Sequence, residues 1–162
     1  MSDQTQQHAE TTHERVGEQS LFHRREFEAS PARVHLAHTD AAQFVQWMGP
    51  RGTTVRLDEF RPVSGGQFRY GVVASSDDSW DFRGSYHEVS PGLIVHTWQY
   101  VGEPDITLET LRFVDLEGGR SALEIVSTFT SKGACDAMAE SDMGGGMDEN
   151  FDRIDDLLAA GA

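Results

Sequence analysis

His96 is the side chain in this sequence best placed to move a proton. It lies in "LIVHTWQY", where alternation puts Ile94, His96, Trp98 and Tyr100 on one face of a strand. An imidazole among inward aromatics is suited to general acid–base work, and Tyr86 in "GSYHEV" is the second such candidate. Neither belongs to a complete catalytic motif. The one cysteine, Cys135, allows no internal disulfide, and neither zinc-type spacing nor His-Glu-x-x-His occurs. "GPRGTT" lacks the lysine of a phosphate loop, and no Gly-x-Ser-x-Gly elbow is found. No metal site and no cofactor are expected. His35 and His38, three apart on a short helix, read as packing or surface residues. His87 falls on the outward parity, and Arg112 between Leu111 and Phe113 also points outward.

A second group of residues is suited to holding an apolar molecule. The inward parity of successive strands collects Phe68 and Tyr70, then Trp80, Phe82 and Tyr86, then His96 and Trp98. Leu111, Phe113, Leu123, Ile125 and Phe129 continue that face with fewer polar tips. Tyrosine, tryptophan and histidine concentrate in the middle strands, where their polar atoms need partners that a ligand or water can supply. Methionine, an adaptable apolar side chain, recurs at Met48, Met138, Met143 and Met147. Gly144, in "MGGGM", lies on the apolar stripe of a helix and leaves room there, unless the helix kinks or starts after Gly146. Trp47 and Met48 end a short helix at Gly49-Pro50 and are expected to rim one end of a cavity; solid core packing is the competing reading.

The elements that must position these residues are legible from period and punctuation. Residues 1–19 contain almost no large apolar side chain and read as a disordered tail, with His8 and His13 lacking a carboxylate cluster beside them. Residues 20–162 read as one domain. A first strand, 21–30, is followed by Ser30-Pro31, a helix start, and two short helices over 32–38 and 41–48. Six strands follow over 54–60, 67–74, 80–89, 93–101, 107–116 and 121–130, separated by short turns that favour antiparallel pairing. Near the C-terminus the period becomes helical. Met143, Met147, Phe151, Ile154 and Leu158 form one stripe, and Asp148, Glu149, Asp152, Asp155 and Asp156 form the opposite face. The predicted class is α+β: a sheet of about seven antiparallel strands covered by one long helix.

Composition narrows the partners. The formal net charge is −14, which disfavours nucleic acid, and Lys132 is the only lysine among 13 basic residues. No signal-peptide pattern and no run of about 18 apolar residues is present, so a cytoplasmic protein without membrane insertion is expected.

Four segments in order, "FVQWMGP", "RPVSGGQFRY", "GSYHEVSPGLIVHTWQY" and "MAESDMGGGMDENFDRIDDLL", resemble the START-like helix-grip superfamily (SRPBCC). Within it, they are most similar to the family named after the activator of the Hsp90 ATPase. The resemblance spans about residues 20–160. Met48 stands where the family usually has a second tryptophan, and His96 where a large apolar residue is common. The resemblance implies a curved sheet gripping the C-terminal helix with a cavity between them. Superfamily members bind lipids, hormones or polyketides, and some are cyclases or aromatases. The expected function is binding of a small hydrophobic molecule: a lipid, polyketide or aromatic metabolite. The alternatives are a polyketide cyclase or aromatase using the same pocket, and a co-chaperone-like protein-interaction module. A homodimer or a protein partner is left open.

Overall fold

The computed structural model describes residues 8–141 and 143–161, except for the side chains of residues 143–145. Eight strands form a single antiparallel sheet: β1 (Thr12–Val16), β2 (Ser20–Phe27), β3 (Thr54–Phe60), β4 (Gln67–Val73), β5 (Ser79–Ser90), β6 (Leu93–Tyr100), β7 (Thr107–Asp115) and β8 (Ser121–Thr128). Their spatial order is β1-β2-β8-β7-β6-β5-β4-β3. From β3 to β8 the chain runs as a meander, because every link is a short turn. The one long connection, from β2 to the far edge at β3, is made by helices α1 (Pro31–Thr39) and α2 (Ala41–Trp47). The Ser30 side chain caps α1 by accepting from the Arg33 N–H, with Pro31 at the first turn.

The remaining helices are α3 (Lys132–Glu140) and α4 (Met143–Ala159). Phe151, Ile154 and Leu157 of α4 enter the main core, and Phe151 meets Phe27 edge-on at 6.0 Å. α3 packs its Cys135 and Met138 against Leu21 and Phe129 in a smaller cluster. Ser131 starts α3, its hydroxyl accepting from the Ala134 N–H, and extended backbone at Ser141 ends it. The helical C-terminal region is therefore two helices with a break. The long one includes the glycine run, so it does not begin after Gly146.

The expectation of a disordered tail over residues 1–19 is corrected for its second half. Thr12–Val16 pairs with β2 from Thr12↔Arg24 to Val16↔Ser20, which adds the eighth strand. All five residues are exposed, so no apolar alternation marks them; backbone pairing makes the strand. Gly17, at φ +77°, turns the hairpin. The tail histidines also have carboxylate neighbours that the linear sequence hides. His13 Nε2 lies 3.1 Å from Asp148, and His8 Nδ1 lies 3.1 Å from Asp155.

Candidate functional site

The concave face of the sheet, α1–α2 and α4 enclose a cavity of about 570 Å³. Large side chains on the strands reach into the gap without filling it.

Its aromatic wall is continuous. Phe68 stacks near Tyr70 at 5.8 Å, Tyr70 on Phe82 at 5.3 Å, and Phe82 on Trp98 at 5.0 Å. Inward parity delivers these residues: β4 pairs with β5 at Tyr70↔Phe82 and Phe68↔Gly84. A Cβ at Gly84 would lie 1.9 Å from the Thr97 carbonyl and 2.4 Å from the Phe68 ring, so this residue's lack of a side chain lets Phe68 lie flat across β5. The Tyr70 hydroxyl accepts from Trp98 Nε1 at 3.2 Å and donates to Met48 Sδ at 3.6 Å. Burial pushes the Tyr70 phenol up, with the Trp98 hydrogen bond acting against that shift.

The polar end is one row running across four strands. The register pairs Tyr86 with His96, His96 with Glu109, and Glu109 with Ser127. His96 Nδ1 lies 3.0 Å from the Thr97 carbonyl. A carbonyl can only accept, so Nδ1 carries the hydrogen and Nε2 of the neutral ring is a bare acceptor. That Nε2 faces Glu109 Oε1 at 3.6 Å, while Glu109 Oε2 accepts from the Ser127 hydroxyl at 3.0 Å. The side chains of His96 and Glu109 are 13% and 19% exposed, and both line the cavity. Burial also pushes up the Tyr86 phenol, and its hydroxyl makes no hydrogen bond among the described residues. Apolar residues flank the row on one side, at Ile94, Leu111 and Ile125.

The mouth is built by the stretch after α2. Trp47 is 4% exposed, and its Nε1 donates to the Ala37 carbonyl at 2.8 Å, so it is a wall residue rather than a rim residue. Met48, Gly49, Pro50 and Thr53 line the cavity at this end. Gly49 has φ +86°, and a Cβ there would meet Thr53 Oγ1 at 3.0 Å. Arg153 of α4 caps the end of α2, donating to the carbonyls of Gln46 at 2.7 Å and Gly49 at 2.6 Å. The Arg51 N–H donates to Glu149 at 2.6 Å, which fixes the loop to the helix. Trp80, expected to point fully inward, sits at the edge of the cavity and is 42% exposed. Met138 and Met147 also line the cavity, as does Gly146, where an added Cβ would meet open space. The expected contributions of the Met143 and Gly144 side-chain positions lie outside the described residues.

Several lining residues escape the sequence reading. Thr107 and Glu109 share the parity of Leu111 and Phe113, and Ser127 shares that of Ile125; extending the alternation would have found them. His38, expected to have a packing or surface role, packs 4.9 Å from the Trp47 ring and also lines the cavity. Asn150 donates to Met48 Sδ from α4, and its buried Oδ1 has no partner among the described residues. His87 and Arg112 are exposed, as expected.

A separate polar cluster joins the sheet to α4. Arg25, 1% exposed, pairs with Asp152 at 3.0 Å and with Asp155. Burial raises the Asp155 carboxyl, and Arg25 and His8 act against that shift. His8, Asp152 and Asp155 converge closely enough to suggest a metal-ligand set, but Arg25 already supplies the positive charge these carboxylates need.

Comparison with known proteins agrees with this geometry. A family model described as activator of Hsp90 ATPase homolog 1-like protein matches residues 28–159. A crystal structure of a Rhodobacter sphaeroides protein is similar at 28% identity and a TM-score of 0.85, over 93% of this chain and 99% of that one. A solution structure from Arthrobacter aurescens has 23% identity and a TM-score of 0.82, over 92% and 91% of the two chains. An AHSA1 protein from Silicibacter pomeroyi shares the fold at 18% identity and a TM-score of 0.72, over 88% and 99%. No curated protein matches the chain. On the family match and the helix-grip architecture together, the chain belongs to the activator of Hsp90 ATPase homolog 1-like family of the START-like superfamily.

Proposed function

We propose that the protein binds a small hydrophobic molecule in the cavity between the sheet and α4. The observation that carries this reading is the combination of volume and lining. About 570 Å³ lies within the usual range of ligand pockets, roughly 300–1,000 Å³, and its wall is mostly aromatic and aliphatic with a few convergent polar groups. A dry void costs roughly 24 cal/mol per Å³ in core-truncation series, so an empty space of this size would cost on the order of 10 kcal/mol. That rivals the net stability of a whole domain, roughly 5–15 kcal/mol, which supports a filled rather than a dry space. An aromatic lining favours an apolar occupant over water.

One arrangement favours a second reading, catalysis of the cyclase or aromatase type. His96 presents a bare Nε2 to the cavity, with Glu109 beside it and the Tyr86 hydroxyl in the same row. A flexible substrate held in one folded shape would gain proximity from the walls and lose a proton to Nε2.

Native mass spectrometry of the protein as isolated tests the binding reading. A retained small molecule, released on unfolding, is the expected result. The bare protein mass, together with no saturable uptake of neutral naphthalene-type compounds, contradicts it.

A further inference from the structure

We propose that the cavity selects ligands whose flat apolar body carries a cationic amine head, lodged at the His96–Glu109–Ser127 row. The inference rests on the binding reading above and adds the chemistry of the head group.

Three observations carry it. First, among the described residues Glu109 is the one lining residue that is Asp, Glu, Lys or Arg. Its carboxylate accepts one hydrogen bond, from Ser127 at 3.0 Å, and no arginine or lysine reaches it among the described residues. A carboxylate in an apolar setting needs more than one neutral donor, and a cation compensates it best. Second, the nearest titratable neighbour adds an acceptor. The Nδ1 of His96 lies on the Thr97 carbonyl, so in the neutral ring Nε2 and Glu109 Oε1, 3.6 Å apart, present two lone pairs to the same space, whereas a protonated ring would itself pair with the carboxylate. Two acceptors that close repel each other until a donor comes between or beside them. An ammonium has N–H groups to offer and the charge as well. Third, aromatic faces surround the row. Phe68 lies 5.5 Å and Tyr86 5.9 Å from the His96 ring, and aromatic faces attract cations.

The same features reject anions. A fatty acid or other carboxylate would place its charge in a cavity with one carboxylate and, among the described residues, no arginine or lysine in its lining, inside a chain of formal net charge −14. A neutral phenol would satisfy the donor requirement without compensating the charge and should rank between the two.

Four compounds with one body separate these cases: 2-naphthylmethylamine, 2-naphthol, 2-methoxynaphthalene and 2-naphthoate. Affinities are read by quenching of intrinsic tryptophan fluorescence and by calorimetry at pH 7. The expected order is amine, naphthol, methoxy compound, naphthoate, with the amine at least tenfold tighter than the methoxy compound. Glu109→Gln, which keeps shape and a donor-acceptor group, should remove most of that tenfold preference and improve naphthoate binding. Naphthoate binding as tightly as the amine in the wild type overturns the proposal without any variant. An unchanged ranking in Glu109→Gln overturns it too. If all four bind equally, the head-group inference falls and the apolar pocket stands; if none binds, both fall.

Discussion

His38 occupies a position where a charge would be costly. Its Nδ1 donates to the Val34 carbonyl at 2.9 Å, and its ring lies against Trp47 and Phe113. The surface it retains faces the cavity. Burial first, and then the neighbouring His35 and His96, lower its pKa from 6.5 to about 4. The unfolded chain therefore binds a proton between pH 6.5 and 4 that the folded chain does not. The stabilisation is fully present above about pH 6.5 and is lost as pH falls toward 4. At roughly 1.4 kcal/mol per unit, the loss from this one residue is on the order of 2–3 kcal/mol. His23, lowered to about 4 chiefly by burial and next by His13, acts in the same window with the same sign. Urea denaturation at pH 7 and pH 4.5 should show a marked fall in the wild type. His38→Gln, which keeps a donor toward the Val34 carbonyl, should show a distinctly smaller fall. Equal pH dependence in both proteins would mean that His38 takes up its proton in the folded chain as readily as in the unfolded one.

At the scale of elements, α4 is held by an apolar stripe and by buried Arg25, which pairs with both Asp152 and Asp155. Removing one partner of a buried pair leaves an uncompensated charge, which costs roughly 3–5 kcal/mol. Arg25→Ala should fall in that range by denaturant midpoint, because it strands Asp152 and the half-buried Asp155. A change under about 1 kcal/mol would show that water reaches these carboxylates. Much of this architecture was legible beforehand. The four-four-three-four spacing from Met143 to Leu158 announces α4, and alternation from Phe68 to Phe129 announces the inward face. What was not legible has physical causes. Periodicity reports burial, and β1 buries nothing, so "THERV" carries no signal although its backbone pairs with β2. Trp80 obeys its strand's parity, but it lies near the start of β5, where the cavity opens. Arg25 and Glu109 were passed over because charged residues are seldom buried, although both lie on inward parity. His8 and His13 meet their carboxylates across more than a hundred residues of chain, a juxtaposition that only folding creates.

For the whole molecule, cavity, mouth and helix break form one arrangement. No helix among the described residues is long and apolar enough to cross a membrane. The sheet wall carries the His96–Glu109–Ser127 row, the loop after α2 is fastened to α4, and Gly146 of α4 lines the cavity. Gly146 is the position where the pocket can be closed with least disturbance to the fold, because its Cβ direction is free. Gly146→Ala should stabilise by up to about 1 kcal/mol through helix propensity and leave binding intact. Gly146→Leu should occupy the cavity. Saturable fluorescence enhancement of the neutral dye N-phenyl-1-naphthylamine, measured beside thermal melts for the three proteins, tests the pocket most directly. The expected result is one-to-one binding by the wild type and the alanine variant, with at least a tenfold loss in the leucine variant at a melting temperature within a few degrees. Absence of saturable binding in the wild type, or undiminished binding in a folded leucine variant, would contradict a ligand cavity beneath α4.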